Sequence, residues 1–345
     1  MQNLKTFFFI VICLFIILNS ALASIPKDKC KRRDYSSRFG PLREQDGHGF
    51  CGLFSSTALI EELHCKGDPA LCGKYISPLD ASRCSWNLLT ENESTSPYNA
   101  LNCVIHSGGV CREEHAPYDA VQKLPCTLWR YLPGLNFSAK CNNQRLARLY
   151  KMWSNTTNTC PQGANSANVP AEVKEIRRGL IRALSELVPE SVIMNKNLEA
   201  LFFESKSESD FLRRILISEA CENSRLPVPA KLNNFYLKTN EMDDKSRRKE
   251  ILNFIVEGLA NNSSVAIDYE IRRTGLVNSI YYLGGTDKHS VVVTGMRFNE
   301  SKSRCEFQLR NSWGAGADFN GWYDANIIER SVYAANYLTP EDHPK

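Results

Sequence analysis

The chain has 345 residues, 43% of them apolar, and a formal net charge of +4. That length supplies one large domain or two lobes with a sizeable core. The weak positive charge is spread along the chain without the basic clusters of a nucleic-acid-binding protein, so nucleic acid is not an expected partner.

The first residues, "MQNLKTFFFIVICLFIILNSALAS", combine Lys5, an apolar run over residues 7–18 and the small-residue site Ala21-Leu22-Ala23. This pattern predicts a secretory signal peptide over 1–23, cleaved after Ala23, and a secreted or periplasmic product with no stable membrane insertion. An uncleaved anchor is the weaker alternative, because the run is short for a span. Thirteen cysteines, of which Cys13 leaves with the leader, fit an oxidising compartment in which most are paired. The remaining even number permits complete pairing, so a working thiolate would leave at least one further cysteine over.

Residues 24–50 are polar and hold no complete predicted element; "FGP" and "GHG" mark turns. From Cys51 the residues Phe54, Ala58, Leu59, Glu62 and Leu63 recur at helical spacing and predict a helix over about 51–64. A loop-rich, cysteine-rich stretch follows, with one short helix near Tyr98–Ser107. Residues 154–168, "SNTTNTCPQGANSAN", read as a linker. Three amphipathic stripes come next: Val173, Ile176, Leu180, Leu184 and Leu187, with Pro170 as the first helical residue; Phe211, Leu212, Ile215 and Leu216; and Ile251, Leu252, Ile255 and Leu259. Strands are predicted at 263–270, and at 289–298 and 304–311 around the polar turn "NESKS". The expected order is a helical lobe over 24–130, a helical middle segment over 131–245, and a β-rich lobe over 246–345.

Two places in this order carry chemistry. An antiparallel hairpin centred near Glu300 puts His289 opposite Asn311, where an amide would bond one imidazole nitrogen and fix its tautomer. Cys51 opens its helix, where the partial positive charge of the N-terminus favours a thiolate, and an adjacent imidazolium would favour it further. Gln45, six residues upstream, offers an amide that with the Cys51 backbone N–H would hold an oxyanion. Cysteine, histidine, asparagine and glutamine together describe acyl transfer through a thioester.

These blocks resemble the papain-like (cathepsin-type) cysteine proteases. "EQDGHGFCGLFSSTALIEE" is similar to that family's Q-G-x-C-G-S-C-W-A-F-S…I-E, with Gln45, Gly49, Cys51, Phe54, Ser55, Ile60 and Glu61 matching. "YISPLDASRC", "APYDAVQKLPC", "SSVAIDYE", "DKHSVVVTGM" and "RNSWGAGADFNGWY" resemble further family blocks in the family's order, over most of residues 40–325. The resemblance implies an α+β, two-lobed fold: a helical left lobe and a β-barrel-like right lobe, here with a helical insertion. It implies Cys51 as nucleophile, His289 as base and then acid, and Asn311 as its orienting partner. Trp313 would shield that bond and Gln45 would donate to the oxyanion. It further implies Ala266 as a wall of the main specificity pocket, Thr95 in the strand that binds substrate backbone, and a Cys84–Cys126 disulfide. The substrate would be a peptide or protein, and no metal or organic cofactor is implied.

The departures are specific. Gly52 stands where the family has tryptophan, His48 where it has a cysteine, and Ala317 where it has a second tryptophan. Ser94-Thr95 replace a glycine pair, and Lys288 stands where aspartate often precedes the histidine. The family's prosegment of about a hundred residues does not fit between the expected cleavage site and Cys51. The long 131–245 segment is read instead as an insertion that restricts the cleft or binds a regulatory partner, with simple decoration of the second lobe held equally.

Cys51 is alternatively a half-cystine and His289 a satisfied core residue. His48, Cys51, His64 and Cys65 leave a zinc site formally open. His106 and His115 read as surface residues, and Cys103 with Cys111 as a local disulfide. Sequons stand at Asn92, Asn136, Asn155, Asn261, Asn262 and Asn299. The expected function is a secreted cysteine endopeptidase. The alternatives are an amidase or transpeptidase with the same residues, or a catalytically silent binding protein of the same fold.

Overall fold

Cys51–Gly67 forms the central helix, α1, and every residue from Cys51 to Leu63 is buried. A helix enclosed on all sides must satisfy its polar side chains internally. Ser56 Oγ donates to Gly52 O at 2.6 Å and Thr57 Oγ1 to Phe54 O at 3.1 Å. Glu61 and Glu62 point to opposite neighbours. Glu61 accepts from the Ile76 N–H at 3.0 Å, while Glu62 accepts from Arg38 at 2.6 Å and from the Ser264 N–H at 2.7 Å. Two adjacent carboxylates thus tie one helix to segments on both sides of it.

This computed structural model describes residues 25–45, 50–84, 95–118, 149–152, 204–274, 288–314 and 319–341, with scattered positions between 154 and 201. Within them the chain is α+β. The strands are β1 (Arg33–Asp34), β2 (Ala230–Tyr236), β3 (Val265–Glu270), β4 (Lys288–Asn299), β5 (Arg304–Arg310), β6 (Gly321–Asp324) and β7 (Val332–Pro340). They form one antiparallel sheet in the order β2-β7-β3-β4-β5-β6, with β1 added beside β4. Helix α1 packs on β4, β3 and β7. The other long helices are α2 (Pro97–His106), α3 (Glu208–Leu216) and α4 (Lys245–Ala260), and α5 (Ala325–Ser331) closes one end. Each is started by a side-chain cap: Ser96 for α2, Ser207 for α3, Asp244 for α4 and Asp324 for α5. Helix α4 buries Ile251, Leu252, Ile255 and Leu259, the expected stripe.

Three expectations change. Residues 230–236 fall within the stretch read as helical, yet they form β2, paired with β7 from Ala230↔Pro340 to Tyr236↔Ala334. β2 is an edge strand with two asparagines and a weak alternation of burial, so its sequence carries little strand signal. The β4–β5 register also differs. Val292 faces Arg310 and Asn299 faces Arg304, with a bulge between Val293 and Gly295. The turn centres between Ser301 and Lys302, with Ser303 in the left-handed region at φ 50°. Continued to the site, this pairing puts His289 level with Trp313 and places Asn311 diagonally. Finally, Cys111 is bonded to Cys221, 110 residues away, rather than to Cys103, which is itself disulfide-bonded.

Cys30–Cys305 and Cys65–Cys72 are the other bridges among the described residues. Cys126, the expected partner of Cys84, lies outside the described residues, as do nearly all of the linker, the leader and most of the segment from 131 to 203. No helix among the described residues is long and apolar enough to cross a membrane.

Candidate active site

Cys51 is the first residue of α1 and the free cysteine among the described residues. It is buried, as are His289 and Asn311. The reading of Cys51 as a half-cystine does not hold in this structure. Cys65, a member of the formal zinc set, is spent on Cys72, and His64 Nε2 meets the carbonyl of Pro227 at 3.1 Å. His106 and His115 lie on loops or helix ends, at least partly exposed.

His289 lies near the start of β4. Its Nε2 is 2.8 Å from Asn311 Oδ1. The Ser312 N–H also donates to that same Asn311 atom, at 2.7 Å. A backbone N–H only donates, so the atom between them is the amide oxygen. Nε2 must therefore carry the hydrogen, which leaves the lone pair on Nδ1. Asn311 is held in turn by its own N–H, which donates to Asn320 Oδ1 at 2.8 Å. Trp313 stacks on the imidazole with ring centroids 4.0 Å apart, and Tyr269 meets its edge at 5.7 Å. Both His289 and Asn311 are buried.

Gln45 is tied to the same turn. Its N–H donates to Ser312 O at 2.7 Å, and its carbonyl accepts from Tyr118 Oη at 2.6 Å. The Ser312 hydroxyl donates to Gln45 Oε1. Three consecutive residues thus hold different parts of one constellation: Asn311 holds His289, Ser312 holds Gln45, and Trp313 covers the imidazole.

Burial pushes the Cys51 thiol up; the charge of Asp268 adds to the effect, and hydrogen bonding from Ser290 and Gly52 opposes it. Burial likewise pushes His289 down to about 4, against the Asn311 hydrogen bond. Burial thus disfavours the charged forms of both groups, against the expected thiolate and imidazolium. Desolvation of two enclosed groups outweighs the helix N-terminus.

Thr95 is buried, and its main chain crosses the first turn of α1. A Cβ at position 52 would lie 1.7 Å from Thr95 O. The 95–96 backbone thus fills the space that a side chain at position 52 would need. Ala266 sits in mid-sheet between Val292 and Asn336 and is fully covered, so it is not brought to an open pocket. Ser312, Ser290 and Asp268 were not singled out from the sequence. Ser312 lies inside the matched "NSWG" block and Ser290 directly follows the histidine, and those were the available signals. Asp80, Cys111 and Cys221 form the close group of metal-ligating atoms among the described residues. Its two sulfurs are bonded to each other, and Asp80 is taken by Arg225 and the Cys111 N–H.

No family model and no curated protein matches the chain. Among solved structures it is similar to the digestive procathepsin L2 proteinase from Tenebrio molitor larval midgut, at 14% identity and a TM-score of 0.47, covering 92% of this chain and 70% of that one. It is also similar to the proform of the Amb a 11 cysteine protease, a major ragweed pollen allergen, at 12% identity and a TM-score of 0.45, covering 94% and 68%.

Proposed function

We propose that the protein is an exported papain-like cysteine peptidase that cleaves peptide bonds through a thioester at Cys51. The observation that carries this reading is the shared turn at 311–313, which engages His289 and Gln45 from two distant parts of the chain. In the mechanism, His289 Nδ1 takes the Cys51 proton as sulfur attacks the scissile carbonyl. Burial, which disfavours both charged forms, makes this transfer part of the attack rather than a prior equilibrium. The Cys51 N–H and Gln45 Nε2 donate to the developing oxyanion. Imidazolium then protonates the leaving amine. The regenerated base activates water to hydrolyse the thioester. Disulfides and the amino-terminal pattern support export.

The test is covalent labelling with an epoxide or vinyl-sulfone probe under mild reduction, read by intact mass and peptide mapping. The expected outcome is one adduct on Cys51, absent from Cys51→Ser and strongly slowed in His289→Ala. A folded protein that takes no label, or labels equally well without His289, would overturn the proposal.

A further inference from the structure

Tyr118 joins two parts of the candidate site that the mechanism above treats separately. Its hydroxyl donates to the carbonyl of Gln45 at 2.6 Å. Its ring lies 5.6 Å from that of Phe50, the residue before Cys51, and meets Phe54 edge-on at 4.9 Å, centroid to centroid. Phe50 is the N-cap of α1, and the Phe54 N–H donates to Phe50 O at 2.9 Å in the first turn. One side chain therefore touches the residue proposed to hold the oxyanion and both aromatic residues that flank the proposed nucleophile. Tyr118 is buried, as a tyrosine with an apolar body against two rings and its hydroxyl on a carbonyl can be.

The main chain of Gln45 is clamped from two sides. Ser312 O accepts its N–H at 2.7 Å, and the preceding Glu44 pairs with Trp313 in an isolated bridge. Tyr118 takes its carbonyl on the other side. With N–H and C=O both anchored, the direction in which the side chain leaves the backbone is set before a substrate arrives. Tyr118 is fixed in turn, because the strap from Cys111 to Tyr118 is tied along its length. Cys111 is bonded to Cys221, and its carbonyl accepts the Ser77 N–H at 3.0 Å. The Glu113 N–H donates to Tyr75 O at 3.0 Å. His115 O accepts from Ser218 Oγ at 2.6 Å, and Ala116 O accepts from Ser77 Oγ at 2.6 Å. The Glu113 carboxylate takes the Tyr118 N–H at 2.7 Å on one oxygen and Arg43 Nη2 at 2.6 Å on the other, while the Arg43 guanidinium lies 4.7 Å over the Phe54 ring.

We propose that Tyr118 is a positioning residue for the oxyanion site. Its hydroxyl anchors the Gln45 main chain so that the side-chain amide stands ready for the developing oxyanion. Its ring holds the first turn of α1, and with it the Cys51 N–H, against the same anchor. The hydroxyl acts through Gln45 and the ring acts through Phe50 and Phe54, so the two contributions separate on substitution.

The inference rests on the peptidase reading, and the test distinguishes the two. Wild type first selects a fluorogenic peptide from a library; kcat and KM on that peptide are then measured for wild type, Tyr118→Phe, Gln45→Ala and the double variant. The rate of Cys51 alkylation by iodoacetamide is measured beside them, because alkylation builds no oxyanion on a carbonyl and reports the thiol alone. Tyr118→Phe removes the hydroxyl and keeps the ring. It should lower kcat about tenfold with KM within about twofold of wild type, less than the loss of about 10²–10³ when an oxyanion donor is removed outright. Its alkylation rate should stay within about twofold of wild type. In the Gln45→Ala background the same substitution should change kcat by less than about twofold, because the group it positions is gone. Glu113→Gln loosens the hold on the Tyr118 N–H and leaves both rings; it should lower kcat by about threefold and be equally silent beside Gln45→Ala. That variant keeps the experiment decisive if Tyr118→Phe does not fold. An unchanged kcat, or a loss of equal size with and without Gln45, would overturn the inference. A library from which folded wild type cleaves nothing would instead overturn the peptidase proposal.

Discussion

Ser312 is held between two roles that no single-residue reading of the turn separates. Its N–H fixes the Asn311 oxygen, and its hydroxyl occupies Gln45 Oε1. Ser312→Ala should leave the first intact and release the second. The expected result is a drop in kcat of about tenfold, about 1.4 kcal/mol of transition-state stabilisation, with KM little changed. Steady-state kinetics on a fluorogenic peptide checks it, and a change confined to KM would show that Gln45 does not serve the oxyanion. The titration of His289 belongs to this scale too. Its folded value of about 4 lies below the ordinary 6.5, so between these values the unfolded chain binds more protons than the folded one. The stability that His289 contributes is complete above about 6.5 and is lost as pH falls toward 4. Asp268 and Glu61, both pushed up to about 7 by burial, work in the opposite sense: their contribution is complete at low pH and falls as pH rises toward 7.

The N-terminal turn of α1 and the chain at Thr95–Ser96 fit together as elements. Their closeness is set by the absence of a side chain at Gly52, where a Cβ would meet Thr95 O at 1.7 Å. Backbone cannot yield there as a flexible side chain would. Gly52→Ala should therefore cost at least about 1–3 kcal/mol and move the turn that carries Cys51 as well. Thermal unfolding together with the labelling rate measures both, and a variant as stable and as reactive as wild type would show that the 95–96 segment gives way easily.

Over the whole molecule, α1 is the seam. Glu61 binds the Ile76 N–H on one side and Glu62 binds Arg38 and the Ser264 N–H on the other, so the site sits where two halves of the sequence close on one helix. Cys30–Cys305 joins residues 275 apart and ties the amino-terminal segment to β5, the strand that leads into Asn311. Replacing both cysteines by serine should lower stability by about 2–5 kcal/mol through the entropy returned to the unfolded chain. Calorimetry of the paired variant checks this, and an unchanged Tm would mean that β1 and the surrounding packing already hold the ends.

How much of this was legible follows from the range of each interaction. The helix at Cys51, the α4 stripe and the β4–β5 hairpin are written in local periodicity and turn chemistry, and they form at nearly the expected positions. The imidazole and amide that the sequence pairs, His289 and Asn311, are hydrogen-bonded in the structure. The edge strand β2 was not, since its pairing with β7 is made by a segment 96 or more residues away and not by its own pattern. The hairpin register depended on a bulge and on a left-handed Ser303, so His289 meets Asn311 diagonally rather than face to face. The Cys111–Cys221 bridge and the hold of Ser312 on Gln45 join distant segments, and no spacing rule reaches them. Protonation was the least accessible of all. Whether Cys51 and His289 rest charged or neutral depends on how completely they are desolvated and on a buried Asp268, and burial exists only once the chain has closed around them.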